Sequence, residues 1–134
     1  MSSESLHVPR ELLSQDARLL HHAVTSLKEE LDAVDWYRQR AEDIEDAELR
    51  ELLLHNMREE MEHASMLMEW IRRHNSDFAE HMTTYLFTEA PILGIEKAAE
   101  ADAAGDTGAK GPSHNEADTS ADRRVTIGSL REKR

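Results

Sequence analysis

The chain has 134 residues and a formal net charge of −12. That is room for one small domain, and the wrong sign for nucleic acid or an anionic membrane, because phosphate contacts need a surplus of Lys and Arg. With no cysteine, disulfides, iron–sulfur clusters and zinc–thiolate sites are excluded.

The N-terminus, MSSESLHVPR, lacks the basic flank and apolar centre of a secretory signal. No apolar run approaches the roughly 20 residues that span a bilayer, so the expectation is a cytoplasmic protein. Between Pro9 and Pro91 there is no glycine and no proline, and Leu, Glu, Ala, Met and Arg dominate, all good helix formers. At about 100° per residue, Leu12, Leu19, Ala23, Leu27, Val34, Tyr37, Ala41 and Ile44 share one face. Leu53, Met57, Ala64, Leu67 and Ile71 share another, out of phase with the first. One straight helix cannot carry both sets to a single core, which predicts a turn near Asp43–Asp46, where an acidic residue can cap the second helix.

A second break falls at Asn75-Ser76-Asp77, with Asp77 and Glu80 spaced as a capping box. Phe78, Met82, Tyr85 and Leu86 then predict a short third helix, ended before Pro91 because the residue preceding proline disfavours the helical region. From Ala98 to Arg124 there is no Val, Ile, Leu, Met or aromatic residue, and such a segment cannot offset the entropy of ordering. The expected organisation is a helical domain over 1–91, a disordered linker over 92–124, an apolar island over 125–131 (VTIGSLR) and a charged end over 132–134. As a coil, the stretch from Pro91 to Val125 would span roughly 30 Å root-mean-square. The fold class is all-α: a two-helix antiparallel hairpin plus a short third helix. A hairpin this small buries only one side of each stripe, so it is expected to complete a four-helix bundle by self-association.

Against this pattern, Glu60 is misplaced for packing. Leu53, Leu67 and Ile71 lie within about 20° of it, and His63 lies about 60° to one side. Glu30 is equally central on the first helix, with Ala23, Tyr37 and Ala41 within about 20°. Glu29 and Asp32 fall on the flank and the outside, and Trp36 at the edge. An unpaired carboxylate in a core costs several kcal/mol or takes up a proton, and no Lys or Arg sits near either residue on the inner faces. Glu60-x-x-His63 has the helical spacing of carboxylate-bridged dinuclear metal sites, and its oxygen and nitrogen donors suit iron or manganese. One chain supplies two carboxylates and one histidine; two copies supply the four and two that such a site uses. On spacing alone two readings stay open beside this one: Glu30 and Glu60 could face solvent, or pair with arginine from a partner. Met57, Met61, Met66 and Met68 read as packing, and His21, His22, His55, His74 and His81 as surface or packing residues.

The segments EELDAVDWY (Glu29–Tyr37), EEMEHA with the later EW (Glu59–Trp70) and TYLFTEAPI (Thr84–Ile92) resemble the encapsulated ferritins. TIGSLR (Thr126–Arg131) resembles the tag that docks cargo inside encapsulin shells. The resemblance implies a half-ferritin whose dimers form a ring, typically of ten chains, within an encapsulin nanocompartment in the cytoplasm. It implies a ferroxidase that converts Fe(II) to Fe(III) with dioxygen and feeds iron storage in the shell. The implied di-iron centre holds two ions per dimer, on Glu30, Glu60 and His63 of both protomers. Trp36 and Tyr37 match the aromatic pair beside that centre. Glu29 and Asp32 match accessory acidic positions; Asp32 stands where Glu is frequent and reaches one methylene less far. Val125, Ile127 and Leu130 match the apolar anchors of the docking tag. The rival functions are a non-catalytic helical adaptor and a dinuclear manganese or iron oxidase of another substrate.

Overall fold

A computed structural model describes residues 5–105. Within them all regular structure is helical: a 3₁₀ turn at Arg10–Leu12, then α1 (Gln15–Asp43), α2 (Ala47–His74), α3 (Ser76–Tyr85) and α4 (Ile92–Gly105). The Ser14 side chain caps α1, accepting the Ala17 N–H at 3.1 Å. Leu12 therefore lies before the helix rather than on its inner face, and is 73% exposed.

The turn expected near Asp43–Asp46 is present, and only Ile44, Glu45 and Asp46 connect α1 to α2. Asp46 caps α2, its carboxylate accepting the Leu49 N–H at 2.7 Å. Arg50 reaches back one turn into α2 and holds the end of α1: its Nε donates to the Ala41 carbonyl at 3.0 Å and its Nη2 to the Ile44 carbonyl. The last carbonyls of a helix lack partners within it, and this guanidinium supplies two. With so short a connection α1 and α2 run as an antiparallel hairpin, each about 42 Å long at 1.5 Å per residue.

The hairpin seam is thin. Ala23, Ala41, Met57, Ala64 and Ile71 are its buried residues, and the three alanines let the helices approach closely. Leu27, Val34, Tyr37, Leu53 and Leu67 flank them, half-buried. Much of the apolar stripe is uncovered in the single chain: Leu31, Trp36, Leu52, Met61 and Met66 are all exposed. Of the methionine set read as packing, Met57 alone is buried here, while Met61, Met66 and Met68 are exposed. Five buried side chains are a weak core for a domain of this size, as the sequence pattern anticipates.

α3 starts where expected but is capped differently. Asn75 accepts the Phe78 N–H at 2.9 Å, and Asp77 lies in the first turn, so the capping box at Asp77 and Glu80 is not the device used. Helix α3 closes at Tyr85, and Phe87 follows at φ 58° with its side chain fully exposed. That left-handed conformation disfavours a bulky side chain.

The linker expected from residue 92 begins instead as a helix. Pro91 accepts the N–H groups of Gly94 and Ile95 at 2.8 and 3.1 Å, and α4 runs on to Gly105. None of its residues is buried. Absence of large apolar residues argued against a packed segment, but Ala98, Ala99, Ala101, Ala103 and Ala104 carry the highest intrinsic helix propensity. Propensity, not burial, forms this helix. Residues 106–134, including the expected linker 106–124, the island Val125–Arg131 and the charged end, lie outside the described residues.

Candidate metal centre

The hairpin geometry brings the two central glutamates together. Glu30 lies thirteen residues before the end of α1, and Glu60 thirteen residues after the start of α2. At 1.5 Å per residue both stand about 20 Å from the turn, so an antiparallel hairpin places them at one height. His63, one helical turn beyond Glu60, shares its face.

The Nδ1 of His63 lies 2.9 Å from Glu60 Oε2 and 3.9 Å from Glu30 Oε2. One donor atom from each of the three residues lies within 4.8 Å of the others. The carboxylates are partly sheltered, with side-chain exposures of 28% for Glu30 and 22% for Glu60, while His63 is at 45%. The trio therefore opens toward the outside of the chain.

Its electrostatics are those of a site short of positive charge. The hydrogen bond with Glu60, together with burial, raises the Glu30 carboxyl above its usual value. The same hydrogen bond and that from His63 lower Glu60. The bond to Glu60 raises His63, against the opposing effect of burial. The three shifts together mean that Glu30 and His63 give up their protons less readily than the free groups, while Glu60 gives up its proton more readily. The groups that shift Glu30 are Glu60, His63 and Glu29, none of them a guanidinium or ammonium. Among the described residues, then, no arginine or lysine partners Glu30.

The other expected residues take outer positions. Glu29 and Asp32 are exposed and outside the three-residue cluster, although Glu29 acts on Glu30 through its charge. Trp36 is exposed at the edge of α1. Tyr37 is half-buried, with the Arg40 guanidinium 5.8 Å from its ring centre. Among the described residues the Tyr37 hydroxyl bonds none of the trio. Val125, Ile127 and Leu130 lie outside the described residues. Glu59, at the edge of the inner face by helical spacing, helps raise His63 through its charge, and its carboxylate lies 3.8 Å from His55, four residues earlier.

Two carboxylate oxygens and an imidazole nitrogen, all hard or borderline donors, fit iron or manganese. Three ligands are also too few to enclose such an ion, which fits an open half-site. The EncFtn-like family model matches residues 5–89, a span holding all three ligands and helices α1 to α3. The chain belongs to the EncFtn-like family. Among its relatives, the encapsulated ferritin-like protein of Rhodospirillum rubrum is 47% identical over 97% of this chain and 90% of its own length. The encapsulin nanocompartment cargo protein EncC of Myxococcus xanthus is 31% identical over 92% of each chain. In fold this EncFtn-like chain is similar to the crystal structure of protein ne0167 from Nitrosomonas europaea, with TM-score 0.64 and 48% identity over 66% of this chain and 97% of that one. The family match ends before α4, so the exposed alanine-rich helix is an extension beyond the matched unit.

Proposed function

We propose that two copies of this chain pair to form a ferroxidase centre, with Glu30, Glu60 and His63 of each holding Fe(II) as substrate for oxidation to Fe(III) by dioxygen. The convergence of those three donors on one sheltered point without an arginine or lysine carries the reading. A two-fold-related copy would complete a set of four carboxylates and two imidazoles, whose four negative charges balance two divalent ions. Leu31 and Met61, adjacent to the two glutamates in sequence and 50% and 44% exposed, are the kind of surface such a partner would cover.

The residues divide the work simply. Glu30 and Glu60 supply charge that favours the more highly charged ferric product. His63 adds a neutral donor once it has lost its proton. Glu29 and Asp32 would draw cations toward the trio, assisted by the net charge of −12. Trp36 and Tyr37 would bound the site on one side. Each Fe(II) gives one electron to dioxygen and leaves as Fe(III).

Membership of the EncFtn-like family and the chain's likeness to the encapsulated ferritin-like protein and to EncC support a cargo role inside an encapsulin shell. On that reading the dimers assemble into a ring, a decamer, and the apolar island Val125–Arg131 docks to the shell through Val125, Ile127 and Leu130. Several such tails per ring would add avidity.

Anaerobic titration with Fe(II), followed by admission of oxygen, tests the chemistry. Saturation at one ion per chain and rapid oxygen uptake are expected; no stoichiometric binding and no uptake would leave only the adaptor reading. For the docking role, deletion of 125–131 should end co-purification with a co-expressed encapsulin while leaving oxidation at the wild-type rate. Retention of the shortened chain by the shell would refute it.

A further inference from the structure

A second charged site lies at the start of the hairpin, apart from the carboxylates. Arg18, His21 and His22 stand at spacings of three and four on α1, which puts them on one face. With Arg10 of the 3₁₀ turn and Leu6 before it, they line a cavity of about 60 Å³. The rings of His21 and His22 are 5.8 Å apart and tilted by 60°. Arg18 and His21 are half-buried.

This gathering is unusual in a chain with net charge −12. Four other guanidiniums are engaged by hydrogen bonds: Arg38 with Glu42, Arg72 and Arg73 with Glu69, and Arg50 with two carbonyls. Among the described residues the side chains of Arg10, Arg18, His21 and His22 take no hydrogen bond or ion pair. Neither Glu11 nor Asp16, the nearest acidic residues in sequence, lines the cavity. Two guanidiniums and two imidazoles therefore face one small space with no hydrogen-bond or ion-pair partner among the described residues.

We propose that the cavity bounded by Leu6, Arg10, Arg18, His21 and His22 binds a free tetrahedral oxyanion of the phosphate class. Size and donor chemistry both select that ligand. At roughly 10–15 Å³ per water-sized occupant the cavity holds about four to six heavy atoms, and phosphate has five. Planar guanidiniums match the oxygens of a tetrahedral anion in pairs, and each imidazole adds a ring N–H. A carboxylate would use fewer of these donors, and a nucleotide would extend beyond the space.

Equilibrium dialysis of the full-length, iron-free protein against radiolabelled inorganic phosphate at low ionic strength tests the site. Saturable binding of one ion per chain is expected. Arg18→Ala should weaken it about tenfold, and Arg10→Ala with Arg18→Ala should remove it. Arg18→Lys, which keeps the charge but loses the fork, should fall between wild type and Arg18→Ala. Circular dichroism would establish that the helices persist in each variant. Glu60→Ala should bind phosphate as the wild type does, which separates this site from the metal centre. Absence of saturable binding to the wild type, or undiminished binding by the double variant, would overturn the proposal. Adenosine monophosphate competing as well as phosphate would overturn the assignment to a free ion.

Discussion

Two clusters, one confined to α2 and one that α2 shares with Glu30 of α1, handle negative charge in opposite ways. Glu69 accepts from Arg72 at 2.8 and 2.6 Å and from Arg73 at 3.0 Å, and those guanidiniums lower its carboxyl to about 2. The chain neutralises that carboxylate itself, on an exposed surface. Six residues earlier, one imidazole, that of His63, stands between two acids, and the Glu30 carboxyl is driven upward. A helix with arginines to spare has placed none beside Glu30 and Glu60. What distinguishes a metal site from a salt bridge here is the missing basic partner, not the density of acids.

The sharpest way to break this comparison is to remove the acids one at a time. Glu30→Ala or His63→Ala should slow Fe(II) oxidation at least about 100-fold, since even groups that merely support a metal ligand are worth 10–100-fold. Glu69→Ala should change the rate by less than about twofold. Stopped-flow absorbance of the ferric product gives both numbers. Near-wild-type rates in Glu30→Ala and His63→Ala would mean that the two clusters do not differ in function.

Next in size is the response to pH. A bound cation requires its ligands deprotonated, so it competes with protons on His63 and Glu30. His63 and Glu30 both hold their protons more tightly than usual, so protons compete with metal at higher pH than they would on the free groups. Affinity for Co(II), a redox-silent probe, should therefore rise with pH across and above the ordinary imidazole value of 6.5, by up to about tenfold per unit for each proton displaced. Isothermal titration in two buffers of different ionisation enthalpy would count the protons released. A pH-independent affinity would mean that the trio is not the binding site.

Much of this site was legible in the sequence because its geometry follows from two simple periodicities. Helical spacing places Glu60 and His63 on one face, and equal distances from a short turn bring Glu30 opposite them. The turn itself followed from the phase break between the two apolar sets. Local chemistry was harder to read. Asn75 rather than Asp77 caps α3, because both are good caps and only backbone geometry chooses between them. Helix α4 is not legible from burial patterning, because an alanine-rich segment after Pro91 folds on propensity. Leu12 lies in the turn preceding α1 because Ser14 starts the helix two residues later. The basic cavity was missed for a different reason. Arg10 and Leu6 are brought to Arg18, His21 and His22 by the fold of the segment before α1, which no helical periodicity encodes.

The smallest effect offers the cleanest contrast, because the two clusters should respond with opposite signs. Glu69 has a folded value of about 2 against 4.5 for the free group. Its contribution to stability is present above 4.5 and is lost as pH falls from there toward 2. Glu30 is shifted the other way, so ionising it in the metal-free fold is unfavourable; that penalty grows as pH rises above 4.5 and is complete above the raised value. In chelator-treated protein at neutral pH, Glu69→Gln should thus lower Tm and Glu30→Gln should raise it, each by a few °C at most, as expected of groups in contact with solvent. Adding Co(II) should stabilise the wild type and the Glu69 variant but not the Glu30 variant. Differential scanning calorimetry of the three proteins, with and without metal, reads every case. A fall in Tm for Glu30→Gln without metal would mean that Glu30 stabilises the fold like an ordinary surface acid, and the contrast with Glu69 would be lost.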